Sequence, residues 1–262
     1  MNRKWTTEEN TYLIENYGKV SSVDIAKFLG RNNRKNINKH ARKLGIKFPE
    51  NERVSQRRYY LNLRYFDIPN VENSYYAGFI AGDGWISNDL VDITIAEKDI
   101  DILYNFKKDI ECDYDIKIIE KQQEGWSNKA SLRVYSKYIT SKLSNVFNIG
   151  EKKSFTLSHP NLDDDCSLSY IVGLLDADGW IYYTSDNYLQ LGICGTKEIL
   201  TWIDFIFTKE FGISANITPN GSIYSWKITG KRAIILGNEL MKIKTPFRLS
   251  RKWDKPELKD YN

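Results

Sequence analysis

The chain has 262 residues, which is too long for a single small binding module and enough for one large domain or two to three small ones. Hydrophobic residues make up 41%, aromatic residues 13% and charged residues 27%, a composition that excludes extensive disorder. The net charge of +4 excludes a histone-like coat of positive charge, and three cysteines without a Cys-x-x-Cys pair argue against a zinc ribbon or disulfide scaffold.

The positive charge is concentrated at the start of the chain. Residues 1–47 hold 11 Lys or Arg and four Asp or Glu, a net charge of +7, so the other 215 residues carry −3. Such an asymmetry indicates a basic module joined to a body of different character.

The same segment predicts three short helices. Thr6 or Thr7 can cap the first, whose apolar residues recur at helical spacing until Gly18. The second is expected over residues 23–29, where Gly30 ends it.

A third predicted helix, from about residue 33 to residue 44, carries most of the basic side chains. Ile37, Ala41 and Leu44 are expected to face the core, and Gly45 follows the helix. Arg, Lys and Asn are the residue types that reach phosphates and base edges from a recognition helix. The candidate DNA contacts of this module are Arg31, Arg34, Lys35, Asn38, Lys39 and Arg42.

Residues 1–47 resemble a Myb/SANT-like helix-turn-helix, through the opening Trp5-Thr6-Thr7-Glu8-Glu9 and the turn Ile25-Ala26…Leu29-Gly30-Arg31. That resemblance implies a DNA-binding domain. The alternative is a small basic helical bundle with a solvated charged face.

Residues 48–70 show no clear period, and arginines alternate with aromatic residues along them. We interpret this segment as a basic and aromatic linker that could lie along DNA, with its arginines on phosphates. A linker that packs its aromatic rings on a neighbouring domain is an equally open alternative.

The rest of the chain contains an internal repeat. Residues 75–86 align without a gap with residues 170–181, six of the 12 positions are identical, and the offset is 95 residues. The segments that follow each copy predict an α+β fold of two pseudo-symmetric αββαββα repeats with antiparallel, saddle-like sheets, beside the small all-α domain. The repeats are expected to span residues 71–160 and 161–262.

Helices and turns are predicted at matching places in the two repeats. The expected helices cover residues 100–110 and 136–147 in the first repeat, and residues 197–211 and 231–241 in the second. Glu124-Gly125 and Pro219-Asn220-Gly221 are the expected hairpin turns.

Small residues mark one face of the first helix in each repeat. Gly78 and Gly82 lie four residues apart, as do Gly173 and Ala177, and small residues at this spacing let two helix backbones approach closely. We therefore expect these two helices to pack against each other across a pseudo-two-fold axis.

Asp83 and Asp178 are expected at the C-terminal ends of these helices, each followed by a glycine at the C′ position. A carboxylate there opposes the helix dipole at a cost of roughly 0.3–1 kcal/mol, and two carboxylates across a tight interface repel each other. A divalent cation between them would relieve both penalties, and hard oxygen ligands with open water positions suit Mg²⁺. Paired metals at such a site can clamp the attacking and leaving oxygens of a phosphodiester displacement.

Residues 71–262 resemble a monomeric, two-motif LAGLIDADG homing endonuclease, through Ile171-Val-Gly-Leu-Leu-Asp-Ala-Asp-Gly179 and the looser Tyr76-Ala-Gly-Phe-Ile-Ala-Gly-Asp-Gly84. The resemblance implies a sequence-specific double-strand DNA endonuclease that hydrolyses phosphodiester bonds with Mg²⁺, or another divalent cation such as Mn²⁺, and leaves 3′ overhangs. It also implies that Asp83 and Asp178 bind the metal, with the backbone carbonyls of Gly82 and Ala177 as further ligands.

Basic residues near the active site are a further implication of this resemblance. Lys153 and Lys252, late in each repeat, are the candidates for stabilising charge on the phosphate or holding the attacking water. The alternative for each lysine is a solvated surface side chain. Asp176, the extra acid of the second motif, has Ala81 as its counterpart and is interpreted as structural.

The exposed faces of the two sheets are expected to read a double-stranded DNA target. Strand alternation nominates side chains that face outward, where polar residues are expected on any half-exposed sheet. The candidates are Lys117, Lys129, Arg133, Gln190, Ser225 and Lys227.

Two other functions stay open, a catalytically silent DNA-binding regulator of the same fold and an intron RNA maturase. The retention of both motif aspartates argues against the first, and the DNA-type N-terminal module argues against the second. The sequence has no run of about 18 apolar residues and opens without a signal peptide. We therefore expect a cytoplasmic or nucleoid-associated protein that is not secreted, with no membrane partner.

Overall fold

The computed structural model describes residues 4–17, 20, 22–31, 34–46, 59–121, 123, 125–255 and 257–258. The chain divides into two compact units, Met1–Leu61 and Asn62–Asn262. Gly18, Asn33 and Glu124, which the sequence places at helix or turn boundaries, lie outside the described residues. No described helix has the length and apolar character needed to cross a membrane.

The described part of the first unit contains three helices. They are α1 (Thr7–Asn16), α2 (Ser22–Phe28) and α3 (Arg34–Lys43). Thr6 caps α1 in a capping box, in which its hydroxyl accepts from the Glu9 N–H and the Glu9 carboxylate accepts from the Thr6 N–H. The buried core of this unit consists of Leu13, Tyr17, Ile25, Ala26, Ile37 and Ala41.

Leu44 is the exception to the predicted core of the first unit. The helix α3 ends at Lys43, and Leu44 lies exposed in the following turn, so its predicted burial is wrong. Gly45 has a φ of +69°, which confirms the left-handed glycine that ends this helix.

The second unit contains the two predicted repeats. The first consists of α4 (Val71–Asp83), β1 (Gly84–Ile86), β2 (Leu90–Ala96), α5 (Asp101–Asp109), β3 (Ile116–Ile119), β4 (Lys129–Tyr135), α6 (Lys137–Phe147) and α7 (Lys153–Thr156), with a 3-10 helix at Glu97–Asp99. The second consists of α8 (Asp164–Asp178), β5 (Gly179–Tyr183), β6 (Leu189–Gly195), α9 (Lys197–Phe211), β7 (Ile217–Asn220), β8 (Ile223–Thr229), α10 (Lys231–Met241) and α11 (Ser250–Trp253). The predicted αββαββα order is confirmed, and each repeat adds one short helix at its end.

Each repeat forms a four-stranded antiparallel sheet. The strand orders are β1-β2-β4-β3 and β5-β6-β8-β7, so the two sheets have the same topology. Residues of β2 alternate between buried and partly exposed, as period-two patterning predicts. The mixed α+β fold class is confirmed.

The two predicted hairpin turns are only partly correct. Nine residues separate β3 from β4, so the segment around Gly125 is a long connection and not a tight turn. In the second repeat the turn lies at Gly221 and Ser222, while Pro219 and Asn220 belong to β7. Proline is tolerated there because β7 is an edge strand.

The helices α4 and α8 pack closely through their small residues. A Cβ atom added to Gly78 would overlap the carbonyl oxygen of Tyr170, and one added to Gly173 would overlap that of Tyr75. Only glycine allows this approach of the two backbones, so the predicted helix pair is confirmed.

The glycines after the two helices have a different role from the predicted one. Gly84 and Gly179 have φ values of −76° and −81°, so they are not left-handed C′ residues. A Cβ at either position would lie 2.6 Å from a carbonyl oxygen of the preceding turn, at Ile80 or Leu175. Close contact, and not a positive φ, therefore requires glycine here.

Residues 62–70 belong to the body of the first repeat. The ring of Phe66 is fully buried and lies 5.8 Å from the ring of Phe147 and 6.4 Å from that of Phe106. Asp67 accepts a hydrogen bond from the Tyr138 hydroxyl at 2.7 Å. Of the two interpretations of this segment, packing on a neighbouring domain is the one that these residues follow.

Replacing Gly78 by alanine is expected to lower the free energy of unfolding by about 1–3 kcal/mol, because the new methyl group forces the two helix backbones apart. Chemical denaturation followed by circular dichroism measures this change. Gly150 is the matched control, because a Cβ there meets no atom within 4 Å and Gly150→Ala should be nearly neutral. Equal stability of the two variants would contradict close packing at Gly78.

Candidate active site at the ends of the paired helices

The ends of α4 and α8 bring two carboxylates together. Asp83 and Asp178 are the last residues of their helices. A Cβ added to Gly82 would lie 3.2 Å from a carboxylate oxygen of Asp178, so that carboxylate reaches across to the opposite helix. The sequence places the two motif aspartates at corresponding helix ends, and the structure does the same.

The pKa values of these two groups reflect their surroundings. Packing that takes water away from the carboxylate, and then the charge of Asp178, raises the pKa of Asp83 to about 6. Loss of water also raises the pKa of Asp178, while Lys153 and Lys252 oppose that rise. The pair is therefore held in an arrangement that disfavours two negative charges.

Lys153 on α7 caps the end of α4. Its ammonium group donates to the carbonyl oxygen of Ala81 at 2.7 Å and to that of Gly82. Carbonyls in the last turn of a helix lack partners within the helix, so the lysine satisfies them and brings positive charge beside Asp83. In the described part of the chain, one of its three N–H donors has no partner.

Lys252 on α11 caps the end of α8 more completely. Its ammonium group donates to four carbonyl oxygens, those of Leu175 at 2.9 Å, Asp176 at 2.6 Å, Ala177 at 3.1 Å and Gly179 at 2.7 Å. The side chain is 6% exposed, and burial lowers the pKa of Lys252 to about 8. Three N–H donors shared among four acceptors leave none for a substrate, so this lysine is placed as a structural cap.

Asp176 is a buried anchor for the segment that carries Lys252. Its carboxylate accepts from the Tyr75 hydroxyl at 2.7 Å, the Leu249 backbone N–H at 3.1 Å and the Trp253 indole N–H at 2.6 Å. Three hydrogen bonds compensate for the loss of water around this carboxylate. The structural role that the sequence assigns to Asp176 agrees with this placement.

The counterpart of this anchor is missing from the first repeat. Ala81 stands where the second motif has Asp176, and the buried hydroxyl of Tyr170, the counterpart of Tyr75, has no hydrogen-bond partner among the described residues. The two halves of the site therefore share a backbone topology but differ in their side-chain contacts.

Contacts at the end of each repeat cross to the other repeat. Arg251 forms a two-point ion pair with Asp99 of the first repeat, with Nε 2.9 Å from each carboxylate oxygen. In the opposite direction, the Thr196 hydroxyl of the second repeat donates to the Leu157 carbonyl oxygen at 2.6 Å. These contacts tie the segments that carry Lys153 and Lys252 to the opposite repeat.

The oxygen atoms at the helix ends are of the type that Mg²⁺ takes in proteins. Within the described ranges no three His, Cys, Asp or Glu side chains form a metal-binding cluster, and the candidate donors are two carboxylates and the carbonyls of Gly82 and Ala177. Each of these carbonyls accepts from a lysine but keeps a second lone pair. A small set of oxygen ligands suits Mg²⁺, which retains several waters when bound. Lys153 and Lys252 already supply part of the positive charge that balances the two carboxylates.

The candidate DNA contacts of the first sheet lie on its outer face. Lys117 and Lys129 are exposed, and Arg133 is exposed and paired with Asp92 at 2.7 Å. The strand register places all of these side chains on one face, opposite the buried Leu132. The first sheet therefore presents three basic side chains to solvent, as strand alternation predicts.

The second sheet presents fewer available side chains. Lys227 is exposed, but Gln190 is bound by Trp180, Tyr182 and Thr229. Ser225 lies on the same face but is only 8% exposed. Its short side chain lies between neighbouring strands on both sides.

Four of the six candidate contacts of the first unit are exposed on α3. They are Arg34, Lys35, Lys39 and Arg42. Asn38 is partly used inside the unit, because its side-chain oxygen accepts from the hydroxyls of Tyr17 and Ser22.

Arg31, the sixth candidate contact, is used inside the first unit. Its side chain is largely buried, pairs with Glu9, donates to the Lys4 carbonyl at 3.0 Å and lies over the Trp5 ring at 4.0 Å.

Sequence reasoning did not single out Tyr75, Asp99 or Trp253. Each contacts a residue that is distant in sequence, so no local pattern could have identified it. The one available signal was the unequal acid content of the two motifs, which pointed to Asp176.

Comparison with solved structures finds LAGLIDADG proteins. The N-terminal LAGLIDADG domain of DUF199/WhiA matches with 18% identity over 70% of this chain and 90% of that chain, with a TM-score of 0.47. The homing endonuclease I-WcaI bound to its DNA recognition sequence matches with 12% identity, 70% and 85% coverage and a TM-score of 0.49. I-DmoI in complex with DNA and Ca matches with 16% identity, 69% and 91% coverage and a TM-score of 0.44.

No protein-family model and no curated protein was found to match the sequence. All of the structural matches quoted above have identities below 20% and TM-scores below 0.5.

Asp83→Asn is expected to stabilise the metal-free protein at neutral pH. A carboxyl group whose pKa is raised from 3.8 to about 6 on folding contributes stability below pH 4 that is lost as the pH rises through 6. The variant should therefore melt at a higher temperature than the parent protein at pH 7–8, with the difference vanishing near pH 4.

Thermal melting between pH 4 and 8 in a chelating buffer measures this difference, with the exposed Asp115→Asn as control. Added Mg²⁺ should raise the melting temperature of the parent protein and not that of Asp83→Asn. A difference between variant and parent that does not depend on pH would contradict the strained carboxylate pair.

Proposed function

We propose that this chain is a sequence-specific double-strand DNA endonuclease that hydrolyses phosphodiester bonds with Mg²⁺ or a similar divalent cation. The observation that carries the proposal is the meeting of Asp83 and Asp178 at the ends of two helices that only glycine allows to pack so closely. Stability alone disfavours this arrangement, since it raises the pKa of both carboxyl groups.

Asp83 and Asp178 would hold the cation, together with the carbonyls of Gly82 and Ala177. When bound, the cation would polarise the phosphate and lower the pKa of a coordinated water, which are the chemical requirements of phosphodiester hydrolysis. The two carboxylates must be deprotonated to take this role, so the raised pKa of Asp83 predicts that activity rises with pH through about 6.

Lys153 is the basic side chain best placed to act on substrate. It lies beside Asp83, it is partly exposed, and one of its N–H donors has no partner in the described part of the chain. An ammonium group at this place would stabilise negative charge that develops on the phosphate or would hold the attacking water. Lys252, which is saturated by four carbonyls, would instead keep the end of α8 and the position of Asp178 fixed.

The outer sheet faces and the first unit would bind the DNA. Lys117, Lys129, Arg133 and Lys227 lie on the outer faces of the two sheets, where they would contact phosphates and base edges. The exposed basic face of α3 would add a second contact region, as in a helix-turn-helix, whose recognition helix enters the major groove.

A DNA-binding protein without nuclease activity is the second candidate. Lys252 donates all of its N–H groups to carbonyls, so the second half of the site lacks an available ammonium group. This observation favours binding without cleavage, or cleavage of one strand only, and the same experiment separates these outcomes.

Incubation with a library of randomised duplexes and Mg²⁺, followed by sequencing of cleaved ends, should yield a common target cut on both strands. Asp83→Asn and Asp178→Asn should each lose cleavage by at least 100-fold but keep their affinity for the selected duplex, because the carboxylates hold the metal and not the DNA. Asp115→Asn is the control and should cleave normally. Enrichment of a bound duplex without any cleavage would reject the nuclease and support the silent binding protein.

Replacing the exposed charges of α3 is expected to weaken DNA binding without abolishing cleavage. Arg34, Lys35, Lys39 and Arg42 changed together to glutamine should lower the slope of log affinity against log salt concentration by up to about four units, since each lost phosphate contact removes about 0.9. Fluorescence anisotropy across a salt series measures the slope. Lys107→Gln with Lys108→Gln on α5 is the control, and an unchanged slope in the α3 variant would reject a DNA-binding role for this module.

A further inference from the structure

The same four residues, Asp-Gly-Trp-Ile, place two tryptophans in unlike surroundings. Trp85 follows Asp83 by two residues in β1, and Trp180 follows Asp178 by two residues in β5. Trp85 is 59% exposed, whereas Trp180 is partly buried against its own sheet. An exposed indole is costly to leave in water, so its different placement calls for a physical cause.

Trp180 lies flat because its neighbour on β6 has no side chain. The register pairs Trp180 with Gly192, and a Cβ added to that glycine would lie 2.5 Å from the indole ring. The indole N–H donates to the Gln190 side chain at 3.2 Å, and Gln190 is held in turn by Thr229. Trp180 is therefore fixed on the sheet.

Trp85 has no such place to lie. The register pairs it with Asp92, whose carboxylate occupies the surface that Gly192 leaves open in the other sheet. Asp92 is itself fixed, because it accepts hydrogen bonds from Thr94 at 2.8 Å, Ser131 at 3.0 Å and Arg133 at 2.7 Å. The indole of Trp85 projects outward, and the described residues give its N–H no hydrogen-bond partner.

Trp85 is close in the chain to Asp83 and lies on the basic outer face of the first sheet. Trp85 is two residues from Asp83 in the chain, so the Cα atoms of the two residues lie no more than about 7 Å apart. Its partner Asp92 pairs with Arg133, so the indole shares the outer face of the sheet with that basic side chain and with Lys117. The strand that directly follows Asp83 thus carries a large apolar ring on the same sheet face as basic side chains.

We propose that Trp85 contacts DNA as an apolar wedge that stacks on a base or enters a base step beside the cleavage position. This inference rests on the proposed function and names a further contact residue for it. Apolar side chains that enter the minor groove unstack a base step, and an aromatic ring gains stacking with any base. The wedge acts on one side only, because Trp180 is held by Gly192 and Gln190.

Base stacking in the bound duplex tests the wedge directly. A duplex is first selected from a randomised library by binding to the full chain in metal-free buffer, and 2-aminopurine is then substituted at successive positions across its central steps. Binding of the parent protein should raise 2-aminopurine fluorescence at one step, displaced to one side of the centre.

Trp85→Ala should abolish this rise and weaken affinity about tenfold, within the range for loss of one stacked base. Trp85→Phe should keep at least half of the rise, since an aromatic ring remains. Tyr104→Ala on α5 is the matched control, because Tyr104 is an aromatic residue of similar exposure, 54%, on a helix. Melting temperatures of all variants should equal that of the parent protein, because Trp85 makes few contacts.

A fluorescence rise in Trp85→Ala equal to that of the parent protein would overturn the wedge and leave the proposed function intact. A parent protein that binds a selected duplex without any local rise would do the same. Failure of the parent protein to select any duplex would overturn the proposed function, and the wedge with it.

Discussion

The close packing of α4 against α8 is the constraint on which the rest of the second unit depends. Gly78 and Gly173 let each helix contact the other's backbone. Each helix ends five residues after its glycine, so the C-terminal ends of the two helices lie close together. The two sheets begin at those ends, in Gly84 and Gly179, so their positions follow from the helix pair. The carboxylate pair is a consequence of this geometry, because the aspartates are the last residues of the two helices.

The protein compensates for two carboxylates at helix C-termini in two different ways. Lys153 satisfies two carbonyls and remains partly exposed, whereas Lys252 satisfies four and is buried. Asp176 accepts three hydrogen bonds beside the buried lysine and organises the segment around it. One half of the site is therefore rigid and internally satisfied, and the other keeps unused hydrogen-bonding capacity.

The sequence predicted features that depend on short-range periodicity. The spacing of Gly78 and Gly82 marked the helix interface, and the repeat at an offset of 95 residues gave the element order of both sheets. It did not predict the capping by Lys252 or the pair of Arg251 with Asp99, because both depend on where the last segment folds back onto α8 and the first repeat. The difference between Trp85 and Trp180 was also hidden, since it depends on the cross-strand neighbours Asp92 and Gly192.

The orphaned hydroxyl of Tyr170 has a consequence for symmetry. Two identical chains that pair about a two-fold axis must make every contact twice, once in each direction. The bond from Tyr75 to Asp176 is made once. The equivalent hydroxyl of Tyr170 has no hydrogen-bond partner among the described residues, and Ala81 stands at the position equivalent to Asp176. Because both repeats lie in one chain, their sequences can differ, and a contact made by one repeat need not be made by the other. Under the proposed function, a DNA duplex bound across both repeats therefore need not be palindromic.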